Sequence, residues 1–216
     1  MSEPVKSSRP YRSVVRAEQA ERTRHRIVDA AARLFTERGY AGTALSAVAE
    51  AAEVSPETIY ATLGSKRGLL EAVIDATIRG PAAPVPLEEQ SAWSEIERCP
   101  TARERLRAYV GFSCSVLART SPIHNVIRGA SDGEPFAVEL RARLLRERLE
   151  SNMRRLDQYV GEELRPGLTL AAAAERYCAL SSPEMHHLTT VDLGWSQRAH
   201  EEWLAALVEG ELLGHG

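Results

Sequence analysis

The sequence predicts an all-α chain, and three observations carry that prediction. Among 216 residues there are 31 Ala and 25 Arg, two of the strongest helix formers. Apolar residues recur at helical spacing through most of the chain, and no stretch keeps the strict alternation of a half-buried strand. Most Pro and several Gly punctuate the chain between the periodic segments.

Residues 1–17 are rich in Ser, Pro and Arg, lack a sustained apolar period, and read as a flexible basic arm. A first helix is expected from Ala17 to Arg38, with Ile27, Ala31, Leu34 and Phe35 on one face. Gly39 stands where a helix end needs a residue free to take positive φ. Thr43 is the expected N-cap of a short helix reaching Ala52 with Leu45, Val48 and Ala49 inward. Ser55-Pro56-Glu57 gives an N-cap, a proline at the first helical position and an acid at the positive end of the dipole. That helix stops before Gly64, and Ser65 caps the next, which carries Leu69, Leu70, Val73, Ile74 and Ile78 until Pro81 ends it. Further helices are expected over 87–98, 102–119, 122–130, 134–163, 169–191 with a break at Pro183, and 196–213. No repeat of 20 to 50 residues points to a solenoid.

Charge is divided unevenly. Residues 1–26 hold seven Lys/Arg against three Asp/Glu, and residues 81–216 hold fifteen against twenty, within a net charge of -3. A basic front suits approach to a polyanion. The apolar share of 44% and charged share of 26% argue against disorder and against a membrane protein. Cys99, Cys114 and Cys178 are odd in number and far apart, so neither a disulfide framework nor a zinc knuckle is signalled. No apolar leader or spanning segment is seen, so the cytoplasm is the expected compartment.

Helices of about eight residues are not stable alone. Two of them joined by a three-residue turn form a helix-turn-helix, in which the second enters the major groove of DNA. The run Gly39-Tyr40-Ala41-Gly42-Thr43, the run Val48 to Tyr60, then Gly64-Ser65-Lys66 and Leu69-Leu70 resemble the DNA-binding domain of the TetR family of bacterial transcriptional regulators. The resemblance covers residues 22–78 and is looser over 87–216. It implies an arm over 1–17, a helix-turn-helix DNA-binding domain over 18–80, and a helical ligand-binding and dimerisation domain over 81–216.

It also implies roles. Pro56, Glu57 and Thr58 open the recognition helix, where Thr58 would touch a base edge or thymine methyl and Glu57 would accept from cytosine N4. Tyr60, Thr62, Lys66, Thr43 and the helix start at Ser65 would meet phosphates, with Ser55 as cap and Ser46 at a base-contact position. Two departures stand out: Glu53 replaces a common turn glycine, and Ala61-Thr62-Leu63 replaces bulkier aromatics. DNA affinity would then lean on Arg9, Arg12 and Arg16, reaching the minor groove.

Such modules read two half-sites, so a homodimer is expected. Ala199, Trp203, Ala206, Leu207 and Gly210 form one stripe of the last helix, beside the helix through Leu170 and Tyr177, as the candidate interface. Trp93, Phe112, Val116, His124, Ile127, Leu145, Met153 and Tyr177 are the candidate lining of an effector pocket. Neighbouring His186 and His187 point about 100° apart on a helix, so no metal site is assigned. No cofactor motif, nucleophile elbow or phosphate loop accompanies Asp132, Glu134 and His124, and no enzyme is expected. The reading is a repressor released from a double-stranded operator by a small apolar or amphipathic molecule. The alternatives are an activator or inducer-independent protein of the same fold, or a helical small-molecule-binding protein that ignores DNA.

Overall fold

The computed structural model describes residues 9–80 and 91–213, with side chains from Arg16 onward. The described residues contain helices and no strand. The chain forms two compact units, Met1–Ile74 and Asp75–Gly216. The division falls inside a helix rather than after residue 80, because Arg119 of the second unit donates to the Thr77 carbonyl at 3.4 Å and the Ile78 carbonyl at 3.5 Å.

In the first unit α1 runs Arg9–Arg38. It starts well before Ala17, so residues 9–17 of the expected arm are helical. Nothing between Pro10 and Arg38 breaks a helix, and a proline is tolerated in the first turn, where its missing N–H has no partner to lose. Residues 1–8 and the side chains of Arg9 and Arg12 lie outside the described residues. Ile27, Ala31, Leu34 and Phe35 are buried on the face the spacing predicts. Gly39, at φ +72°, ends the helix with its N–H on the Phe35 carbonyl at 2.8 Å.

Helix α2 spans Leu45–Ala51, α3 Pro56–Leu63 and α4 Lys66–Arg79. The N-cap of α2 is Ala44, not Thr43. Thr43 is buried, and its hydroxyl lies 3.1 Å from the Leu34 carbonyl oxygen and 2.8 Å from that of Gly39, tying the loop to the end of α1. The cap of α3 is as expected: Ser55 Oγ accepts from the Thr58 N–H at 3.3 Å. Ser65 Oγ accepts from the Gly68 N–H at 3.0 Å at the start of α4.

The second unit holds α5 (Ala92–Glu97), α6 (Ala102–Ala130), α7 (Pro135–Val160), α8 (Leu170–Leu180), α9 (Pro183–His187), a π turn over Leu188–Asp192, and α10 (Gln197–Leu212). Residues 87–90 of the expected helix before Pro100 lie outside the described residues. α6 is one helix where two were expected. Thr101 and Glu104 close a capping box at its start. Pro122 sits exposed on its outer side while Ser121 and Ile123 beside it are buried, so packing carries the helix through the proline. Leu106, Val110, Leu156, Val160, Ala173, Leu204 and Val208 belong to one core cluster built from α6, α7, α8 and α10. Each such Leu or Val side chain contributes about 1.5–3 kcal/mol by leaving water. Buried Glu209 of α10 is held by Arg107 and by Arg103 at 2.7 Å, so this carboxylate does not enter the core uncompensated.

Candidate nucleic-acid surface and internal cavity

α3 buries only Ile59, with Leu63 half-buried. Pro56, Glu57, Ala61 and Thr62 are exposed, and so is Tyr60 at 54%, while Thr58 is half-buried. Ile59, helped by Leu63, thus holds a short helix most of whose remaining surface meets solvent.

The turn before it explains how a glycine was replaced. The Val54 N–H bonds the Ala49 carbonyl at 3.0 Å, and the Glu53 N–H bonds that of Glu50 at 3.1 Å, which is a Schellman ending of α2. Glu53, at φ 53°, occupies its left-handed position. Its ion pair with Arg26 at 3.6 Å is exposed and contributes little. Glu53→Gly is therefore expected to raise stability by about 0.5–1 kcal/mol, the left-handed penalty less the added chain entropy. A thermal melt checks this, and a lowered midpoint contradicts it.

The remaining candidates divide by what their polar atoms already do. Thr43 is removed as a phosphate contact: its hydroxyl is buried, and its N–H bonds the Tyr40 carbonyl at 3.3 Å. Ser46 is exposed on α2. Ser55 Oγ lies 3.2 Å from Thr58 Oγ1, and the Thr62 hydroxyl donates to the Thr58 carbonyl at 2.7 Å. Thr62 must release that bond before it can donate elsewhere. The Glu57 backbone N–H, and then Ser55, hold the Glu57 carboxyl below the usual carboxylate range. It stays ionised, able to accept from a base amine and repelled by phosphate. Lys66 Nζ lies 3.5 Å from the Ala41 carbonyl oxygen and 4.5 Å from the centre of the Tyr40 ring, so its ammonium is positioned rather than free-swinging.

Helix continuity through residue 16 adds a feature that the sequence reading missed. Arg16, Gln19 and Thr23 of α1 line a groove with Thr58 and Thr62 of α3. Arg16 was expected in a loose arm; it stands instead on a helix beside the α3 threonines. The missed signal was the absence of any breaker after Pro10.

The second unit holds a cavity of about 1050 Å³ that opens to solvent past exposed Leu145 and Glu175. Of the candidate residues, Trp93, Phe112, Val116, His124, Leu145 and Tyr177 are on its wall. Two candidates are corrected. Ile127 is 0% exposed and is core on α6, and Met153 is 38% exposed on the outer side of α7; neither is among the lining residues. Arg148, Asn152 and Ser113 line the cavity and were not foreseen. Tyr109 and Tyr177 stack at 5.1 Å, and Trp93 meets Phe112 at 4.4 Å, giving one wall an aromatic surface.

On α10 the stripe expected to face a second copy lies mostly away from the core, except that Trp203 packs against it. Ala199 and Ala206 are exposed and Trp203, Leu207 and Gly210 half-buried, while His200, Leu204, Ala205, Val208 and Leu212 fill the opposite face. Trp195 packs edge-on against Trp203 at 5.5 Å. Among the described residues no cluster of three or more His, Cys, Asp or Glu could hold a metal ion, and no helix is long and apolar enough to cross a membrane.

Residues 27–73 match the family model described as bacterial regulatory proteins, tetR family. No curated protein matches the sequence. Among solved structures, a putative TetR-family transcriptional regulator from Rhodococcus sp. is similar with a TM-score of 0.68 and 22% identity, over 88% of this chain and 97% of that one. NalD, the secondary repressor of the MexAB-OprM multidrug efflux pump in Pseudomonas aeruginosa, is similar with a TM-score of 0.66 and 19% identity, over 90% and 98%. A putative TetR-family regulator from Mesorhizobium loti gives 0.67 and 20%, over 89% and 96%. At these identities the likeness is one of fold.

Proposed function

This chain belongs to the TetR family of bacterial regulatory proteins through its residues 27–73, and we propose that it is a homodimeric, sequence-specific repressor that leaves its operator when a small amphipathic molecule binds. The observation that carries the reading is α3, anchored by buried Ile59 and half-buried Leu63, with Pro56, Glu57, Tyr60, Ala61 and Thr62 offered to solvent. A helix of that length can enter a major groove with Pro56, Glu57 and Thr58 leading. Tyr60, Lys66 and Arg16 then face the sugar-phosphate chains, and Ser46 a neighbouring base.

The outward stripe of α10, with small Ala206 and Gly210 allowing close approach, supports pairing through α8 and α10. Pairing places two α3 helices on successive half-sites. Ile78, near the end of α4, lines the cavity, and Lys66 begins the same helix. An occupant that displaces the end of α4 shifts its start, which is the two-state element that release requires. The role is one of binding rather than catalysis, and it is exercised in the cytoplasm, where the DNA is.

Fluorescence polarisation against the DNA upstream of its own coding sequence, at several salt concentrations, tests the proposal. Two phosphate cations per subunit, Lys66 and Arg16, predict a log-log slope of roughly -4 for the dimer. Equal affinity for an unrelated duplex, or indifference to salt, refutes operator recognition.

A further inference from the structure

The cavity of the second unit specifies the charge of its occupant, an inference that rests on the effector-binding reading above. Most polar groups on its wall already satisfy one another. Tyr177 and Ser113 share a hydrogen bond at 2.7 Å, the Tyr109 hydroxyl donates to Asn152 Oδ1 at 2.5 Å, and Asn152 Nδ2 donates to Cys178 Sγ at 3.0 Å. The Thr120 and Ser181 hydroxyls donate to carbonyls of their own helices. Two of the three carboxylates on the wall are paired, Glu184 with Arg141 at 3.6 Å and Glu147 with Arg143 at 3.8 Å, and the third, Glu175, is exposed to solvent.

Arg148 is the exception. Its Nη2 donates to the Cys178 carbonyl at 3.0 Å, its Nε–H is buried without an acceptor, and no carboxylate lies within ion-pair distance among the described residues. A half-buried guanidinium without a counter-ion is costly unless an anion completes it. Burial, and next the charge of Arg148, push His124 down to about 4, so at neutral pH its ring offers an N–H without adding a second positive charge. A cationic occupant would meet only the two paired carboxylates and Glu175, which is exposed to solvent. One face of Trp93 already carries the Arg155 guanidinium, 3.9 Å from the ring centre.

We infer that the effector is an amphipathic carboxylate, its head held by Arg148 with His124 beside it and its apolar body lying along Trp93, Phe112, Val116 and Leu145. Guanidinium–carboxylate pairing is bidentate and charge-assisted, so head-group chemistry should dominate selectivity among ligands of equal chain length.

Calorimetric titration of the full-length protein with dodecanoate, dodecan-1-ol and dodecyltrimethylammonium tests this, since the three share a chain and differ in head group. Dodecanoate is expected to bind about 10- to 100-fold more tightly than the alcohol, and the ammonium more weakly than either. Arg148→Leu should bring dodecanoate down to the level of the alcohol, and Arg148→Lys should retain part of the preference. Melting curves of both variants without ligand report their folding, and the three-ligand series on the unaltered protein decides the question by itself if they fail to fold. Ammonium binding equal to that of the carboxylate, or a head-group preference unchanged in folded Arg148→Leu, overturns the carboxylate while leaving the cavity as an effector site. Failure of all three to bind overturns both.

Discussion

Gly68→Ala is expected to destabilise the first unit by about 3 kcal/mol, at the upper end of overpacking costs. Gly68 stands in the first turn of α4, and a Cβ there would lie 2.2 Å from the Leu63 carbonyl oxygen and 3.4 Å from its carbon. Both are backbone atoms at the end of α3, so no rotamer change relieves the contact. Leu69 and Leu70, next in sequence, are fully buried, which prevents α4 from turning away. The turn between the helices must open instead, and the Ser65 cap on the Gly68 N–H goes with it. Helix propensity alone predicts the opposite sign, because alanine is favoured over glycine by about 1 kcal/mol inside a helix. Urea denaturation followed by circular dichroism separates the two. A midpoint raised by the substitution would mean that the α3–α4 turn is not a close approach.

How much of this was legible in the sequence depended on the range of the interaction. The Ser55-Pro56-Glu57 start, the Gly64 stop and the Ser65 cap are chemistry within four residues, and they stand where spacing put them. The inward face of α1 was legible for the same reason: helical period alone sorts Ile27, Ala31, Leu34 and Phe35. Thr43 was misread because capping logic looks forward along the chain, whereas its hydroxyl reaches back to Leu34 and Gly39. Pro122 was read as a break because a proline removes one backbone bond, and a sequence does not display the packing that outweighs it. Ile127 and Met153 were apolar at plausible spacing, but which side of α6 or α7 faces the cavity is set by neighbouring helices. Arg148 escaped for the complementary reason, since a charged residue on a long helix is ordinarily solvated and only the cavity beside it makes it distinctive.

The second large effect concerns DNA. Thr58→Ala and Tyr60→Phe are expected to fail in different ways, and the difference tests whether α3 reads bases. Tyr60 is exposed, and the substitution removes only its hydroxyl, so stability should be unchanged. Loss of one charge-assisted phosphate bond per subunit should weaken the dimer about 10-fold or more on specific and unrelated duplexes alike. Thr58 is half-buried at the first turn of α3, beside the groove that Arg16 shares. Its backbone N–H still reaches the Ser55 cap after substitution, so the helix start survives. A base contact contributes roughly 1–3 kcal/mol of discrimination. Two half-sites therefore predict that Thr58→Ala lowers the ratio of specific to non-specific affinity by about 30-fold or more, with the salt slope kept. Competition polarisation with operator and scrambled DNA measures both quantities. If Thr58→Ala weakened both duplexes equally, Thr58 would be a backbone contact and the reading of bases would pass to Glu57 and Ser46, the other exposed groups able to meet a base edge.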